Sequence, residues 1–307
     1  MKIAVICSHF NSAGFHVPRR NLLRFLRQLE AKKIPVFVAE LAYEDQEFFL
    51  PAGPAVFQFR TDKRNVLWHK ENLLNLAAGL VPPEYDCLAW IDPDVFFMSE
   101  DWVEQAQRQL EFYPVVQLFS EAWWTDEDGR CIRCSRSTMA DGTLKMGINH
   151  PGFAWAARRS MWREAGGLCE LAILGSGDAL FAAACLGEEI PKWVHYPQWK
   201  TWTKHLTEWV RSNGGASVIP GAVVHEWHGA ERDRAYVPRN LLLKDVDIPK
   251  TVLRREDGLL QFAQGVPSRL REAFLDYFIC RREDGRVSPP AITSQSESGS
   301  PILKALS

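Results

Sequence analysis

The sequence contains no long hydrophobic run. None of its apolar stretches approaches the roughly 18 residues that a membrane-spanning helix needs. It also shows no secretory leader, because Met1 leads straight into the strand-like residues 2–6. These absences predict a protein with no membrane segment that works in the cytoplasm, or in the host cytoplasm if the protein is viral.

Cysteine is sparse and without a pattern. The seven cysteines are odd in number and scattered, which favours a reducing compartment over a disulfide scaffold. Cys131 and Cys134 form one C-x-x-C pair, but no second pair follows at the spacing of a zinc ribbon. Two thiols in a loop are therefore a simpler interpretation than a structural zinc site.

A strong excess of either charge is also lacking. The formal net charge of −2 gives no global attraction to nucleic acid or membranes. Residues 130–163 are an exception, since this segment carries seven lysines and arginines against the single acid Asp141. Such a run is either a solvated face or a partner for phosphate.

Strand-like and helix-like segments alternate through the first 120 residues. The pattern predicts strands at 2–7, 35–41, 55–59, 87–91 and 114–119. It predicts helices at 20–33, at 70–80 before Pro82-Pro83, and after a cap at Ser99. This alternation indicates an α/β fold with an open, mostly parallel twisted sheet flanked by helices. In such sheets ligands bind beyond the carboxyl ends of the strands.

The pattern loosens after residue 121. Tryptophans accumulate there in segments that read as loops, so they either pack in the core or form a platform for the faces of sugars or bases. They are Trp123, Trp124, Trp193, Trp199, Trp202, Trp209 and Trp227. Residues 286–307 are rich in Ser and Pro, which predicts a disordered tail.

Two aspartates follow the central predicted strand. In "LAWIDPDVFF" the apolar residues 88–91 end at Asp92, and Asp94 follows after one proline. Two carboxylates this close repel each other, so a positive group is expected beside them. Carboxylates are the hard oxygen donors that Mg²⁺ and Mn²⁺ prefer. The strand-end position therefore predicts a metal and ligand site.

Three further segments carry candidate chemistry. In "VVHEWHGAERDRAY", His225 follows a strand-like run and His228 comes three residues later, so both can ligate a metal or bind a substrate. In "LGSGDALF", Asp178 opens a helix-like run, as either a helix cap or a general base. In "HPGFAWAARRSMW", Gly152 indicates close packing beneath a ligand, and Arg158 and Arg159 either meet phosphate or begin a solvated helix.

These segments, in this order, resemble the nucleotide-sugar-dependent glycosyltransferases of the GT-A fold. The likeness is to the family-2-like and galactosyltransferase C-terminal groups, and it extends over about residues 2–240. It implies a Rossmann-like nucleotide-sugar-binding domain at 1–240, with a nucleotide-sugar half (1–120) and an acceptor and metal half (121–240). A C-terminal helical extension at 241–285 and the tail at 286–307 complete the predicted chain.

The resemblance implies a role for each matched residue. Asp94, Asp92 and His225 would hold the metal, and Asp178 would be the catalytic base. The donor-binding residues would be Ser8, Asn11, Arg60, Lys70, Asn75, Asp92, Gly152 and His228. The acceptor-binding residues would be Trp123, Trp124, Gly177 and Trp227.

The implied activity is a metal-dependent, inverting transfer of a hexose or pentose. The donor would be a nucleoside-diphosphate sugar, with a UDP-sugar expected, and the cofactor a divalent Mn²⁺ or Mg²⁺. The acceptor would be a saccharide or another small molecule. One alternative is a phage-type enzyme that glycosylates hydroxymethylated bases in DNA. Alternatives of another class are a nucleotidyltransferase and a non-catalytic sugar-nucleotide-binding protein.

Overall fold

The computed structural model describes residues 1–145, 147–190, 197–236 and 238–285. The strands in these ranges are β1 (Ile3–Phe10), β2 (Val36–Tyr43), β3 (Val56–Thr61), β4 (Cys87–Ile91), β5 (Val95–Phe97), β6 (Val115–Gln117), β7 (Glu121–Thr125), β8 (Cys131–Arg136), β9 (Ala154–Arg158), β10 (Ala216–Val218), β11 (Ala222–His225), β12 (Val252–Arg254) and β13 (Leu260–Phe262). The α-helices are α1 (His16–Ala31), α2 (Lys70–Leu80), α3 (Trp102–Leu110), α4 (Thr138–Asp141), α5 (Ser160–Glu164), α6 (Gly177–Leu186), α7 (Pro197–Ser212), α8 (Ile248–Thr251) and α9 (Ser268–Cys280). The predicted tail at 286–307 and Trp193 lie outside the described residues.

The main sheet has seven strands in the order β10-β6-β9-β4-β1-β2-β3. Strands β4, β1, β2 and β3 run parallel, and so do β6 and β10, while β9 is antiparallel to both of its neighbours. Helices cover both faces. The predicted fold class, an open and mostly parallel sheet flanked by helices, is confirmed.

Each face of this sheet buries its own core. Side chains of a strand alternate between faces, so Ala4 and Ile6 of β1 join one cluster while Val5 and Cys7 join the other. Apolar residues of α2, α6, α7 and α9 fill the first cluster, and those of α1 and α3 fill the second. The layers are thus helix, sheet and helix.

The N-terminal elements follow the sequence pattern closely. Helix α2 spans Lys70–Leu80 and ends before Pro82-Pro83, as predicted, and β4 spans Cys87–Ile91. The prediction that Ser99 caps the next helix is wrong. Helix α3 begins at Trp102, and the Ser99 hydroxyl donates a hydrogen bond to the Asp101 carboxylate instead of accepting one from a helix amide.

Helix α7 corrects the interpretation of the tryptophans as loop residues. Trp199, Trp202 and Trp209 lie on this helix, and Trp199 and Trp209 are buried in the first core. The indole Nε1 of Trp199 donates to the Leu171 carbonyl, 3.0 Å away. These rings are packing groups, and no sugar platform forms from them.

A second, four-stranded sheet has the order β5-β11-β7-β8. Strand β5 follows the Asp92-Pro93-Asp94 turn, and it pairs antiparallel with β11 so that Val95 lies opposite His225. This register places the end of β11 beside the turn that follows β4. The junction of the two sheets is therefore where both sequence motifs meet.

Residues 241–285 pack onto the first core. Phe262 of β13 and Phe274 of α9 are buried there, and β12 pairs with β13 as a short hairpin that the predicted helical extension did not include. Within the described ranges, no helix combines the length and the apolar character needed to cross a lipid bilayer.

Candidate metal and transfer site

Asp94, His225 and His228 converge at the junction of the two sheets. Their ligand atoms all lie within 4.8 Å of one another. Asp94 Oδ2 is 2.8 Å from His228 Nε2 and 3.7 Å from His225 Nε2, and the two Nε2 atoms are 3.2 Å apart. The peptide N–H of Glu226 donates to the Asp94 carbonyl at 2.8 Å, which ties the two motifs together.

The protonation states of Asp94 and His225 suit a metal. Burial lowers the pKa of His225 well below its ordinary value, so its imidazole is neutral. Burial alone would raise the pKa of Asp94, but His225, His228 and Arg234 hold it well below its usual range. Asp94 Oδ1 is buried with no hydrogen-bond partner among the described residues. A carboxylate and two imidazoles that share one space form a donor set that fits a divalent transition metal.

Two more charged groups contact His228. Glu283 Oε1 lies 3.1 Å from its Nδ1, and a guanidinium nitrogen of Arg234 lies 2.6 Å from its Nε2. Burial acts to raise the pKa of Glu283, but the adjacent Arg281 and His228 hold it well below the usual range. No local sequence pattern indicates Glu283, which is 55 residues from its partner His228.

Lys70 lies between Asp92 and Asp178. Its ammonium nitrogen is 2.7 Å from Asp92 Oδ1 and 3.1 Å from both oxygens of Asp178. Burial acts to lower the pKa of Lys70, but the carboxylates of Asp178, Asp92 and Glu71 outweigh burial and raise it. Burial raises the pKa of Asp92. The negative charges of Asp178 and Asp94 raise it further, and Lys70 lowers it. Lys70 is thus the positive group that the paired aspartates required.

Asp178 does not cap a helix. It is the second residue of α6, and the N-cap position is held by Ser176. The Asp178 carboxylate instead accepts hydrogen bonds from Lys70 and lies against Gly152, where an added Cβ would be 2.7 Å from Asp178 Oδ2. Of the two roles left open by the sequence, the helix cap is wrong.

Glu71 is a second acid beside Asp178 that the sequence interpretation missed. It is buried, its Oε2 has no hydrogen-bond partner in the described part of the chain, and it lines a small cavity with Asp178. Burial, together with Asp178 and Asp92, raises the pKa of Glu71 to about 8, against the effect of Lys70. A Cβ on Gly177 would lie 2.0 Å from Glu71 Oε1, so a larger residue there would force α6 or the Glu71 side chain to shift.

Two non-glycine residues beside these acids have left-handed backbone conformations. Phe153 has φ +73° and Ser176 has φ +79°, a conformation that costs about 1–3 kcal/mol and concentrates at functional sites. The Phe153 carbonyl accepts the Asp92 peptide N–H at 2.8 Å. The Phe153 ring stacks between His150 and His225, with centroids 3.7 Å and 4.8 Å away. The strained backbone at Phe153 therefore helps to position Asp92, His150 and His225.

A polar hollow lies where β1 and β2 end. His9, Asn11, Arg19, Glu40 and Phe49 are among the residues that line it. Burial lowers the pKa of His9 to about 4, so this imidazole is neutral. The predicted donor residue Asn11 is therefore in the hollow, although its side chain also bonds the backbone of Phe15.

Several predicted donor residues have structural partners instead. Asn75 uses its whole side-chain amide, accepting from Trp162 Nε1 and the Leu168 N–H and donating to the Leu168 carbonyl and Glu170. Arg60 donates to the carbonyls of Glu44 and Gln46 and so supports the hollow from outside. Ser8 is half-buried in β1, opposite Ala39.

The three predicted acceptor tryptophans separate. Trp124 packs beside His150 and Phe153, with Arg133 over its ring at 3.9 Å. Trp123 is the next residue of β7 and so faces the opposite side of the sheet.

Trp227 lies under the C-terminal segment. A Cβ built on Gly285 would come within 3.0 Å of the Trp227 ring. The structure therefore brings only Trp124 to the triad.

Four arginines of the basic run at 130–163 have partners within the protein. Arg133 pairs with Glu231, and Arg136 pairs with Asp141. Arg158 donates to the carbonyls of Leu110 and Glu111, and Arg159 donates to four backbone carbonyls around the end of α2. Of the two interpretations of this run, the partner for phosphate stays a prediction, and these four arginines already have partners within the protein. Cys131 and Cys134 are exposed free thiols, as predicted, but they lie on strand β8 and not in a loop.

Comparisons with known proteins give only distant likenesses. No protein-family model matches the chain, and no curated protein matches its sequence. One similar solved structure is the catalytic domain of Drosophila β1,4-galactosyltransferase 7 with xylobiose, at 15% identity and a TM-score of 0.33 over 61% of this chain and 63% of that one. The match thus spans less than two thirds of the Drosophila domain.

Two further solved structures are similar over more of their length. Glucosyl-3-phosphoglycerate synthase from Mycobacterium tuberculosis, with Mn²⁺, UDP and phosphoglyceric acid, is 9% identical, with a TM-score of 0.38 over 85% of this chain and 86% of that one. The 4-diphosphocytidyl-2C-methyl-D-erythritol synthase of Anaerococcus prevotii is 12% identical, with a TM-score of 0.37 over 72% and 89%. All of these TM-scores are below 0.5, so function has to be inferred from the site itself.

Proposed function

We propose that this chain is a metal-dependent glycosyltransferase that moves a sugar from a nucleoside-diphosphate sugar to an acceptor hydroxyl. One observation carries the proposal: the two carboxylates of the Asp92-Pro93-Asp94 turn contact different groups. Asp94 faces His225 and His228, while Asp92 shares Lys70 with Asp178. A metal-binding set and a separate acid–base set thus lie side by side, as transfer from a diphosphate requires.

Asp94, His225 and His228 would hold the metal. When bound, a divalent cation supplies positive charge to the leaving diphosphate. Two imidazoles in the set favour Mn²⁺ over Mg²⁺, because Mg²⁺ prefers oxygen donors and binds few nitrogen ligands. Arg234, which reaches His228 Nε2, is placed to contribute a further positive charge to the same diphosphate.

The hollow at the ends of β1 and β2 fits the nucleoside of the donor. It lies beyond the carboxyl ends of parallel strands, and His9, Asn11, Arg19 and Glu40 offer both donors and acceptors. A UDP-sugar is the donor we expect, with residues 1–120 as the nucleotide-sugar half of a catalytic part that extends to residue 240. The chain would act in the cytoplasm.

Asp178 would act as the general base. The acceptor oxygen forms a bond to the anomeric carbon, the bond from that carbon to the diphosphate oxygen breaks, and the acceptor proton passes to the Asp178 carboxylate. Lys70 holds Asp178 in place through both of its oxygens. Direct attack with Asp178 as the base, and without a covalent intermediate, predicts inversion. NMR of the product would test this by measuring its anomeric configuration.

The acceptor we propose is a saccharide or another small molecule. Arg133, Arg136, Arg158 and Arg159, which could have bound the phosphates of DNA, have partners within the protein. Turnover on DNA that depended on phosphate contacts would fall steeply as salt rises. DNA glycosylation with that salt dependence would contradict the small-acceptor proposal.

The direct test is release of the nucleoside diphosphate. The purified chain is incubated with Mn²⁺ and a panel of UDP-, GDP- and other nucleotide sugars, and the products are separated by chromatography. We expect one donor to be hydrolysed slowly, Asp94→Ala to abolish hydrolysis, and the exposed control Glu104→Gln on α3 to leave it unchanged. Hydrolysis that survives Asp94→Ala would refute the proposal, and release of pyrophosphate from a nucleoside triphosphate would indicate a nucleotidyltransferase. Binding without turnover on any acceptor would indicate a non-catalytic protein.

A further inference from the structure

A short segment after α9 closes over the metal-binding triad. We name residues 281–285 the C-terminal strap. Glu283 contacts His228 Nδ1 at 3.1 Å, and Arg281 holds the Glu283 carboxylate through its Nε at 3.0 Å. The Asp284 carboxylate accepts the peptide N–H groups of His16 and Val17, at 2.8 Å and 2.7 Å, at the beginning of α1.

The strap lies on the His228 turn because glycine allows close approach. Gly229 has φ +85°, and a Cβ there would be 2.7 Å from the Arg282 carbonyl oxygen and 3.0 Å from the Glu283 Cα. Any larger residue would push the strap away from His228. The close contact between turn and strap is thus built into the backbone.

The contacts of His228 determine its tautomer. His228 Nε2 lies 2.6 Å from a guanidinium nitrogen of Arg234, which can only donate, and 2.8 Å from Asp94 Oδ2, which can only accept, so the contact at Nδ1 decides the tautomer of the neutral ring. The carboxylate of Glu283 can only accept, so the ring proton is on Nδ1. In the neutral imidazole Nε2 then carries no proton, so this nitrogen, which shares its space with Asp94 and His225, is the one that a metal would bind in place of Arg234.

We propose that Glu283 is a positioning residue that holds His228 as the Nδ1–H tautomer and so determines how tightly the triad binds its metal. The inference rests on the metal site of the proposed function. A metal-ligating histidine commonly donates its other N–H to a carboxylate, and loss of that carboxylate typically costs 10–100-fold in metal affinity. The strap, through Asp284, keeps this carboxylate attached to α1.

The test measures Mn²⁺ affinity of the full chain without any nucleotide sugar, by electron paramagnetic resonance of free Mn²⁺. We expect Glu283→Ala to weaken binding about 10–100-fold and Glu283→Gln, which still accepts from Nδ1, to weaken it less. The matched control is Glu272→Gln, an exposed carboxylate on α9, which should bind like the unchanged chain. Equal affinity for Glu283→Ala and the control would overturn the inference.

Two further measurements separate the possible failures. Asp94→Ala should abolish Mn²⁺ binding; if it does not, the metal site of the proposed function is wrong, whatever Glu283 does. Nitrogen-15 NMR of the metal-free chain should show the His228 proton on Nδ1, and in Glu283→Ala a shift toward Nε2–H. Because Glu283→Ala leaves Arg281 without its carboxylate, the NMR spectrum also reports folding, and a folded variant with an unchanged tautomer would overturn the inference.

Discussion

Lys70 is surrounded by more negative charge than it can neutralise. Its one ammonium faces Asp92 and Asp178 directly, and Glu71 is next to it in α2. Three carboxyl groups around one cation cannot all ionise cheaply in a buried place. Burial raises the pKa of Glu71, Asp178 and Asp92 raise it further, and the proton that Glu71 keeps removes one of the three negative charges.

Replacing Lys70 should destabilise the protein. In Lys70→Met, Asp92 and Asp178 lose their shared counterion, and we expect the free energy of unfolding to fall by about 2 kcal/mol or more. The loss is smaller than for a fully buried pair, because the Asp178 side chain is 33% exposed. Urea unfolding measures it. The control Lys63→Met, whose ion pair with Glu44 is exposed, should change stability by under about 0.5 kcal/mol, and similar losses for both variants would argue against the charge network.

Glu71 should make stability depend on pH. Its pKa rises from 4.5 to about 8 on folding, so between these values the folded chain holds a proton that the unfolded chain has released. The stabilisation from this proton is complete below the lower value and is lost as the pH rises through the upper one, with a slope of at most about 1.4 kcal/mol per pH unit. Glu71→Gln, which stays neutral, should lose less stability than the unchanged chain between about pH 5 and about pH 8 in urea unfolding. Parallel curves for the two proteins would contradict this prediction.

The sequence could indicate residues of the site only where a motif brings them together. Asp92 and Asp94 follow a buried strand, and His225 follows another, so strand ends suggested where they would lie. Glu71 and Glu283 reach the site from a helix and from the strap, and no local pattern marks a carboxylate whose partner is 55 or more residues away. For Asp178, the local pattern of an acid before an apolar run suits a cap, while its contact with Lys70 is 108 residues distant.

At the scale of elements, glycine determines how closely α6 approaches α2. In Gly177→Ala the new Cβ would lie 2.0 Å from Glu71 Oε1, so the two helices must separate or Glu71 must move. We expect a loss of about 1–3 kcal/mol in the free energy of unfolding.

A glycine on α2 itself is the matched control. Gly79 is exposed and has no heavy atom within 4 Å of the new Cβ, so Gly79→Ala should stabilise the helix by about 0.5–1 kcal/mol. Thermal unfolding of both variants gives the comparison. If both variants shifted the melting temperature in the same direction, the contact with Glu71 would not limit how closely α6 packs against α2.

Elements with strong local signals could be predicted, and those that depend on pairing could not. Helix α2 and strand β4 have the predicted bounds, because a proline pair and an acidic turn mark their ends. Helix α7 was missed because its tryptophans suggested a binding surface, although Trp199, Trp202, Leu206 and Trp209 have helical spacing. Strands β7 (EAWWT) and β8 (CIRCSR) have no clear apolar alternation, and the pairing of β7 with β8 and with β11 fixes them.

At the scale of the whole molecule, the metal should stabilise the fold. Free Mn²⁺ at about a hundred times its dissociation constant should add about 2.7 kcal/mol to the free energy of unfolding, because the triad exists only in the folded chain. Calorimetry should show a higher melting temperature with Mn²⁺, and no increase in Asp94→Ala. An equal increase in both proteins would mean that Mn²⁺ binds elsewhere.

The attachment of the strap to α1 has a consequence for how the chain matures. The hydrogen bonds from His16 and Val17 to Asp284 join positions 268 and 267 residues apart, and contacts of such long sequence separation form late and slow folding. A chain emerging from the ribosome has all three residues of the proposed metal site once His228 has been added, but Glu283 is synthesised more than fifty residues later. Tight metal capture should therefore mark the last stage of folding, after the sheet and both of its cores have assembled.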